Sequence, residues 1–155
     1  MHPLWDFLSL LVYALVAYPV IRYVETAQDL YLYITVGCIA SLVFVKLTRM
    51  LPVMHPAMLR PKGARDCNIL NKGGSAEGKI GMPSGHMLLA TFVVFSLLLN
   101  GGRVTVVKAS FSVGCILAIG VSRVMKRCHT WPQVVAGFLF GVLFAWMLAR
   151  YIRSS

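Results

Sequence analysis

Charged residues are scarce in this sequence of 155 residues. They make up 13% of the chain, against roughly 25% in soluble domains, whereas hydrophobic residues make up 58%. This balance excludes an ordinary soluble domain and indicates an integral membrane protein. A chain this short also lacks the length for two sizeable cores, so we expect one domain over residues 1–155.

Acidic residues are particularly few: five Asp and Glu stand against 15 Lys and Arg, for a net charge of +10. The basic residues lie between apolar runs rather than in a stripe interleaved with aromatic side chains, so nucleic acid is not the expected partner. A phosphorylated lipid or the anionic headgroups of a bilayer fit the charge better.

The four cysteines include no CxxC pair, so their spacing indicates neither a metal site nor a redox framework. Cys38 and Cys115 lie inside apolar runs, where we expect small packing residues. Cys67 and Cys128 lie in polar segments that we expect on one membrane face, which leaves a disulfide between them open. We expect no metal and no other cofactor.

Five apolar runs predict an all-α fold, a polytopic membrane bundle of about five transmembrane helices. The helices are expected at about residues 4–24, 30–51, 85–99, 104–121 and 133–152. The first run lacks a basic leader and an evident cleavage site, so we interpret it as a retained membrane helix. In the last run Gly137 and Gly141 are four residues apart, which lets another helix pack closely and makes a second copy of the chain a candidate partner.

Two polar segments, residues 52–84 and 122–132, interrupt these runs. Counting the crossings places both segments on one membrane face and the turn at residues 100–102 on the other. Most basic residues belong to the shared face, which the positive-inside rule would make cytoplasmic. Because an anion site needs positive charge on whichever side it lies, the rule does not fix the orientation here.

The turn at residues 81–86 has the features of an anion-binding helix start. Pro83 suits the first turn of a helix, where its missing N–H costs little, and the free N–H groups that follow attract an anion. Ser84 adds a hydroxyl group, Gly85 allows close approach to the backbone, and His86 can exchange a proton near neutral pH.

Three segments of the shared face carry the polar residues that stand out: Arg60-Pro61, Pro83-Ser84-Gly85-His86, and Ser122-Arg123 followed by His129. They resemble the three signature motifs of the type 2 phosphatidic acid phosphatase (PAP2) superfamily, the membrane lipid phosphatases related to vanadium haloperoxidases. The resemblance extends from Lys46 to Gly137, and it implies metal-independent hydrolysis of a lipid phosphate.

The resemblance also implies a role for each site residue. His129 would attack phosphorus and form a phosphohistidine, and His86 would protonate the leaving group and later activate water. Gln133, one helical turn after His129, would accept the proton of its second ring nitrogen. The implied phosphate-binding residues are Arg60, Ser84, Gly85 and Arg123, with Lys46 as a more distant candidate. The implied supporting residues are Pro83, Ser122 and Gln133.

Two departures from the family pattern concern a lysine and an aspartate. The family has a lysine seven residues before the arginine, and Val53 takes that position here. The family also has an aspartate four residues after the histidine, and Gln133 takes that position. Glutamine is expected in the dolichyl diphosphatase branch, which the stretches GMPS at 81–84 and HTWPQV at 129–134 resemble. That branch implies a polyprenyl diphosphate substrate, cleaved to the monophosphate.

Two other functions remain open at this point. One is a phosphatase of phosphatidic acid or another lipid phosphomonoester, and the other is a catalytically silent lipid-binding or scaffolding protein. In each case the expected partners are a lipid phosphate or diphosphate and the bilayer. The expected location is the endoplasmic reticulum or a related internal membrane if the source is eukaryotic or viral.

Overall fold

The computed structural model describes residues 3–52, 55–67 and 74–154. Within these ranges the helices are α1 (Pro3–Thr26), α2 (Asp29–Thr48), α3 (Gly85–Asn100), α4 (Val106–Met125) and α5 (Trp131–Ser154), and a short 3₁₀ helix is formed by Pro56–Met58. The predicted all-α class is confirmed. Because α1, α2, α4 and α5 are long and apolar enough to cross a membrane, the chain is a multi-pass integral membrane protein.

Helix α3 lies at the centre of the bundle and contacts each of the other four helices. Its 16 residues span about 24 Å, less than the hydrocarbon thickness of about 30 Å. Most of them are buried, since the sequence offers few polar side chains along this helix. Helix α3 is therefore surrounded mainly by the other four helices rather than by lipid.

The glycines of α5 let this helix pack closely against α3. A Cβ added at Gly137 would stand 2.6 Å from the carbonyl oxygen of Ser84, and one at Gly141 would stand 2.7 Å from the carbonyl oxygen of Leu88. Both glycines are buried inside the chain. The prediction that they form a contact between two copies is therefore corrected: α3 of the same chain already occupies that face.

Several element boundaries differ from those expected. Helix α2 ends at Thr48, and α4 continues to Met125, so Ser122 and Arg123 lie on a helix rather than in a loop. Within this helix the hydroxyl of Ser122 donates to the carbonyl of Ile119 at 2.7 Å. Pro83 precedes the N-cap residue Ser84 instead of lying in the first turn of α3.

The segment between α2 and α3 folds back on itself over one end of the bundle. The N–H of Arg60 donates to Lys79, that of Gly81 to Met58, and that of Ala76 to Ala64, at 2.8–2.9 Å. A disulfide joins Cys67 of this segment to Cys128, which follows α4. The bond that the sequence left open is therefore present, and it ties the two polar segments together.

Candidate active site

His129 and Gln133 lie where the loop before α3 meets the start of α5. Nδ1 of His129 is 3.0 Å from Oε1 of Gln133. The amide nitrogen of Gln133 donates to the carbonyls of Ala57 at 2.9 Å and Leu59 at 2.7 Å. Because both amide hydrogens point at carbonyl oxygens, the amide oxygen must be the acceptor toward His129. Nδ1 of His129 therefore carries the proton, and its Nε2 keeps a free lone pair.

The surroundings of His129 keep its ring neutral. The side chain is buried, and burial lowers the pKa of His129 well below its ordinary value. The positive charges of Arg60 and Arg123 lower this pKa further, whereas the hydrogen bond to Gln133 raises it by a smaller amount. A neutral imidazole with a free ring nitrogen is the form that can act as a nucleophile.

Two buried guanidinium groups accompany this histidine. Nη1 of Arg60 donates to the carbonyl of Cys128 at 2.9 Å, and Nη2 of Arg123 donates to the carbonyl of Cys67 at 2.6 Å. Nη1 of Arg123 is 3.4 Å from the hydroxyl oxygen of Ser9. These acceptors carry no charge, so they do not neutralise the positive charge of either buried guanidinium group. Such charges favour an incoming anion.

A third guanidinium group, that of Arg49, was not assigned from the sequence. Arg49 follows α2 directly, and its Nη2 is 3.8 Å from the point where a Cβ on Gly85 would stand. Its charge acts on Arg60, Arg123 and His86. Burial lowers the pKa of Arg60 to about 10, and the charge of Arg49 adds to this effect. The three arginines thus form one mutually repelling cluster.

Lys46, in contrast, is exposed and is not brought to the site. The buried residues of α2 form one inward stripe, made of Ile34, Cys38, Ser41 and Val45. Four residues further along this stripe is Arg49, whereas Lys46 is one position off it and points about 100° away around the helix. The sequence alone does not show this stripe, because α2 is apolar on nearly every side and only burial in the folded chain distinguishes the inward residues. Val53 lies outside the described residues.

The first turn of α3 faces the arginine cluster. Ser84 is buried, and its hydroxyl has no hydrogen-bond partner among the residues described. Its N–H donates to the carbonyl of Gln133 at 3.0 Å, so of the two Ser84 donors expected at the site only the hydroxyl remains. The N–H groups of Gly85 and His86 have no partner within the helix and can receive an anion.

Helix α1 contributes two further side chains that the sequence analysis did not assign. The ring of Tyr13 packs edge-on against that of His86, with 5.9 Å between the ring centroids. The Ser9 hydroxyl oxygen is 3.3 Å from that of Ser122, which therefore contacts α1 as well as its own helix. Ser9 and Tyr13 are four residues apart and share a helix face, and this polar face in an apolar run is the signal that could have identified them.

Gly81 allows two site residues to approach each other. A Cβ at this position would stand 2.6 Å from Oε1 of Gln133 and 2.8 Å from Cγ of Arg60. Any other residue would have to displace at least one of these side chains. Pro83 is also buried, directly before the cap of α3, so the 81–84 stretch acts here as a tightly packed backbone segment.

The predicted site residues, apart from Lys46, converge at one end of the bundle. Arg60 and Arg123 lie close enough for their charges to act on both His86 and His129, and the two histidines interact electrostatically with each other. An open cavity of about 560 Å³ adjoins the site and is lined by His129 together with Lys62 and Arg127. The arrangement can bind an anion and present a neutral imidazole to it.

Comparison with known proteins found one family. A family model described as the PAP2 superfamily matches residues 30–155. This range includes α2 from its second residue, the whole of α3 to α5 and every site residue except Ser9 and Tyr13 of α1. No curated protein and no solved structure matches the chain.

Proposed function

The chain belongs to the PAP2 superfamily, and we propose that it is a membrane lipid phosphatase that hydrolyses a polyprenyl diphosphate of the dolichyl type to the monophosphate. The observation that carries the proposal is the arginine cluster of Arg49, Arg60 and Arg123. Arg60 and Arg123 are buried and donate to neutral carbonyls, and Arg49 lies half-buried beside them, so the three positive charges favour a bound counter-ion. A phosphate bound against the first turn of α3 would supply it.

The chemistry proposed for the two histidines is the mechanism that the family resemblance implies, and the hydrogen bond between His129 and Gln133 supports it. Nε2 of His129 attacks the terminal phosphorus, so that an N–P bond forms while the bond to the bridging oxygen breaks. The negative charge of the bound diphosphate favours a protonated His86, which gives its proton to the departing lipid monophosphate and becomes neutral. His86 then takes a proton from water, the hydroxide attacks phosphorus, and the N–P bond breaks to release inorganic phosphate. The arginines stabilise the charge on the phosphoryl oxygens throughout.

Two features support a diphosphate rather than a monophosphate. The stretches GMPS and HTWPQV resemble the dolichyl diphosphatase branch, in which glutamine takes the place of aspartate at the position of Gln133. Lys62 and Arg127 line the cavity beside His129 and offer positive charge for a second phosphate. The lipid chain would lie between the helices, within the bilayer.

We also propose that the site faces the lumen of the endoplasmic reticulum or of a related internal membrane. Disulfides persist in oxidising compartments, and the Cys67–Cys128 bond lies on the same face as the site. The basic residues of this face are then explained by anion binding rather than by the positive-inside rule. Cleavage of the 74–80 segment by protease added outside sealed microsomes would contradict this orientation.

The test is a phosphate-release assay with purified wild type, His129→Ala and the distant control Arg103→Ala. Polyprenyl diphosphate, phosphatidic acid and a soluble monophosphate are compared, each with EDTA. We expect release from the diphosphate, unchanged by EDTA and by Arg103→Ala, and lowered by at least about 1,000-fold in His129→Ala. A preference for phosphatidic acid would indicate a phosphomonoesterase, and no release from any substrate would indicate a silent lipid-binding protein.

A further inference from the structure

The two phosphate-facing arginines and the disulfide are connected in a reciprocal way. Arg60 belongs to the loop before α3, yet it donates to the carbonyl of Cys128, which follows α4. Arg123 belongs to α4, yet it donates to the carbonyl of Cys67, in the loop. Each arginine is therefore bound to the half-cystine of the opposite segment, and the disulfide joins those two half-cystines.

From this arrangement we propose that the Cys67–Cys128 disulfide is a positioning device for the phosphate site, which holds Arg60 and Arg123 at the separation that a phosphoryl group requires. The inference rests on the proposed function. It assigns to the disulfide a part in substrate binding beyond stabilising the fold.

Burial makes these contacts effective. Cys67, Cys128, Arg60 and Arg123 are at most 8% exposed, and Ala64 forms one buried cluster with the two cysteines. Each carbonyl accepts from one guanidinium nitrogen and so restricts the orientation of the group. Arg123 also contacts Ser9, and the N–H groups that remain can donate to phosphoryl oxygens. A binding group is effective only when neighbouring contacts lock its orientation. Here the locking contacts come from backbone atoms that the disulfide holds in place.

The two arginines do not depend equally on the bond. The backbone beside Arg60 is also held by Gln133, which binds the carbonyls of Ala57 and Leu59. Cys67 lies further along the loop, and the disulfide bonds this part of the loop to Cys128, directly after α4. Opening the disulfide should therefore free the carbonyl of Cys67 first, and Arg123 should lose its orientation more than Arg60 does.

The experiment uses a parent protein in which the two other cysteines are replaced, Cys38→Ala with Cys115→Ala. Both lie away from the site, Cys38 in the core of the bundle. Dithiothreitol reduces the remaining disulfide: the reagent is oxidised to its cyclic disulfide, and its two electrons and two protons yield the thiols of Cys67 and Cys128. Inorganic phosphate binding is measured by calorimetry and substrate turnover by phosphate release, both well below the melting temperature of the reduced protein.

We expect reduction to weaken inorganic phosphate binding and to raise KM by about tenfold, the loss of one well-placed hydrogen bond to a charged group. The change in kcat should be smaller, and reoxidation should restore the original values. A variant with both Cys67→Ser and Cys128→Ser should behave like the reduced parent protein.

A double-mutant cycle separates positioning from general stabilisation. In an Arg123→Ala background, reduction should have a much smaller further effect on phosphate affinity, because the arginine that depends most on the disulfide is gone and Arg60 depends on it less. An equal effect of reduction with and without Arg123, or a lower melting temperature with unchanged phosphate affinity, would overturn the proposal. Phosphate binding without turnover of any substrate would instead count against the proposed function, since the binding measurement needs no catalysis.

Discussion

At the scale of single residues, Arg49 shows how one position on a helix decides which cation serves the site. The sequence places Lys46 at two helical turns from the lysine position of the family, which made it a candidate. The residues of α2 that face the core, however, lead to Arg49. Since Arg49 lies beside Gly85 and its charge reaches both Arg60 and Arg123, we infer that it supplies the charge that the missing lysine would have given.

Arg49→Ala should therefore lower kcat/KM for lipid phosphate hydrolysis by about tenfold or more, the loss of one hydrogen bond to a charged group. Lys46→Ala, three residues earlier and exposed, should leave kcat/KM within about twofold, as for a solvated surface charge. Arg49→Lys should recover part of the loss. Phosphate release by the three purified variants checks this. Equal losses for Arg49→Ala and Lys46→Ala would contradict the assignment of this charge to Arg49.

At the scale of elements, the contact between α3 and α5 sets the geometry of the site. Helix α3 carries His86 and is capped by Ser84, and α5 carries Gln133, which orients His129. The two helices approach closely because Gly137 and Gly141 have no side chains to separate them. The position of His129 relative to the first turn of α3 thus depends on packing further along the same two helices.

Gly141→Ala should be destabilising, because its Cβ would meet the backbone carbonyl of Leu88 at 2.7 Å and the Cβ of Thr91 at 2.6 Å. Overpacking of this kind costs about 1–3 kcal/mol, and phosphate release should fall as α3 and α5 separate. The matched control is Gly114→Ala on α4, where a Cβ meets nothing within 4 Å. Thermal unfolding in detergent compares them, and similar melting temperatures for the two variants would contradict the packing argument.

At the scale of the whole molecule, the balance of charge couples stability to pH. The chain carries a net charge of +10, and the site gathers three arginines around His129. Protonating that histidine would add a fourth positive charge in a buried place, so its pKa lies well below the ordinary value. In the unfolded chain the same histidine titrates near 6.5.

Between the lowered pKa of folded His129 and about pH 6.5, the unfolded chain binds more protons than the folded one. The free energy of unfolding should therefore fall as the pH is lowered through this window, by up to about 1.4 kcal/mol per pH unit. In His129→Asn, which cannot titrate there, the slope should be shallower by that amount. Melting curves in detergent between pH 7.5 and 5.5 test this, and parallel slopes for the two proteins would show that another group controls acid stability.

The sequence by itself determined the all-α class, the membrane setting and most of the cluster. Long apolar runs allow little else in a bilayer, because helices satisfy their own backbone hydrogen bonds. The order of these runs brought Arg60, His86, Arg123 and His129 to one face by counting alone. The spacing of His129 and Gln133 also predicted their contact, since four residues make one helical turn.

Other features were decided only by the tertiary structure. Whether Cys67 and Cys128 bond, whether Arg49 or Lys46 turns inward, and whether Gly137 and Gly141 meet α3 or a second copy all depend on how the helices rotate and approach one another. The same holds for Ser9 and Tyr13, which reach the site from α1. The sequence period of a helix determines which residues share one of its faces. It does not determine which other helix packs against that face, because several helices here present apolar faces of similar size.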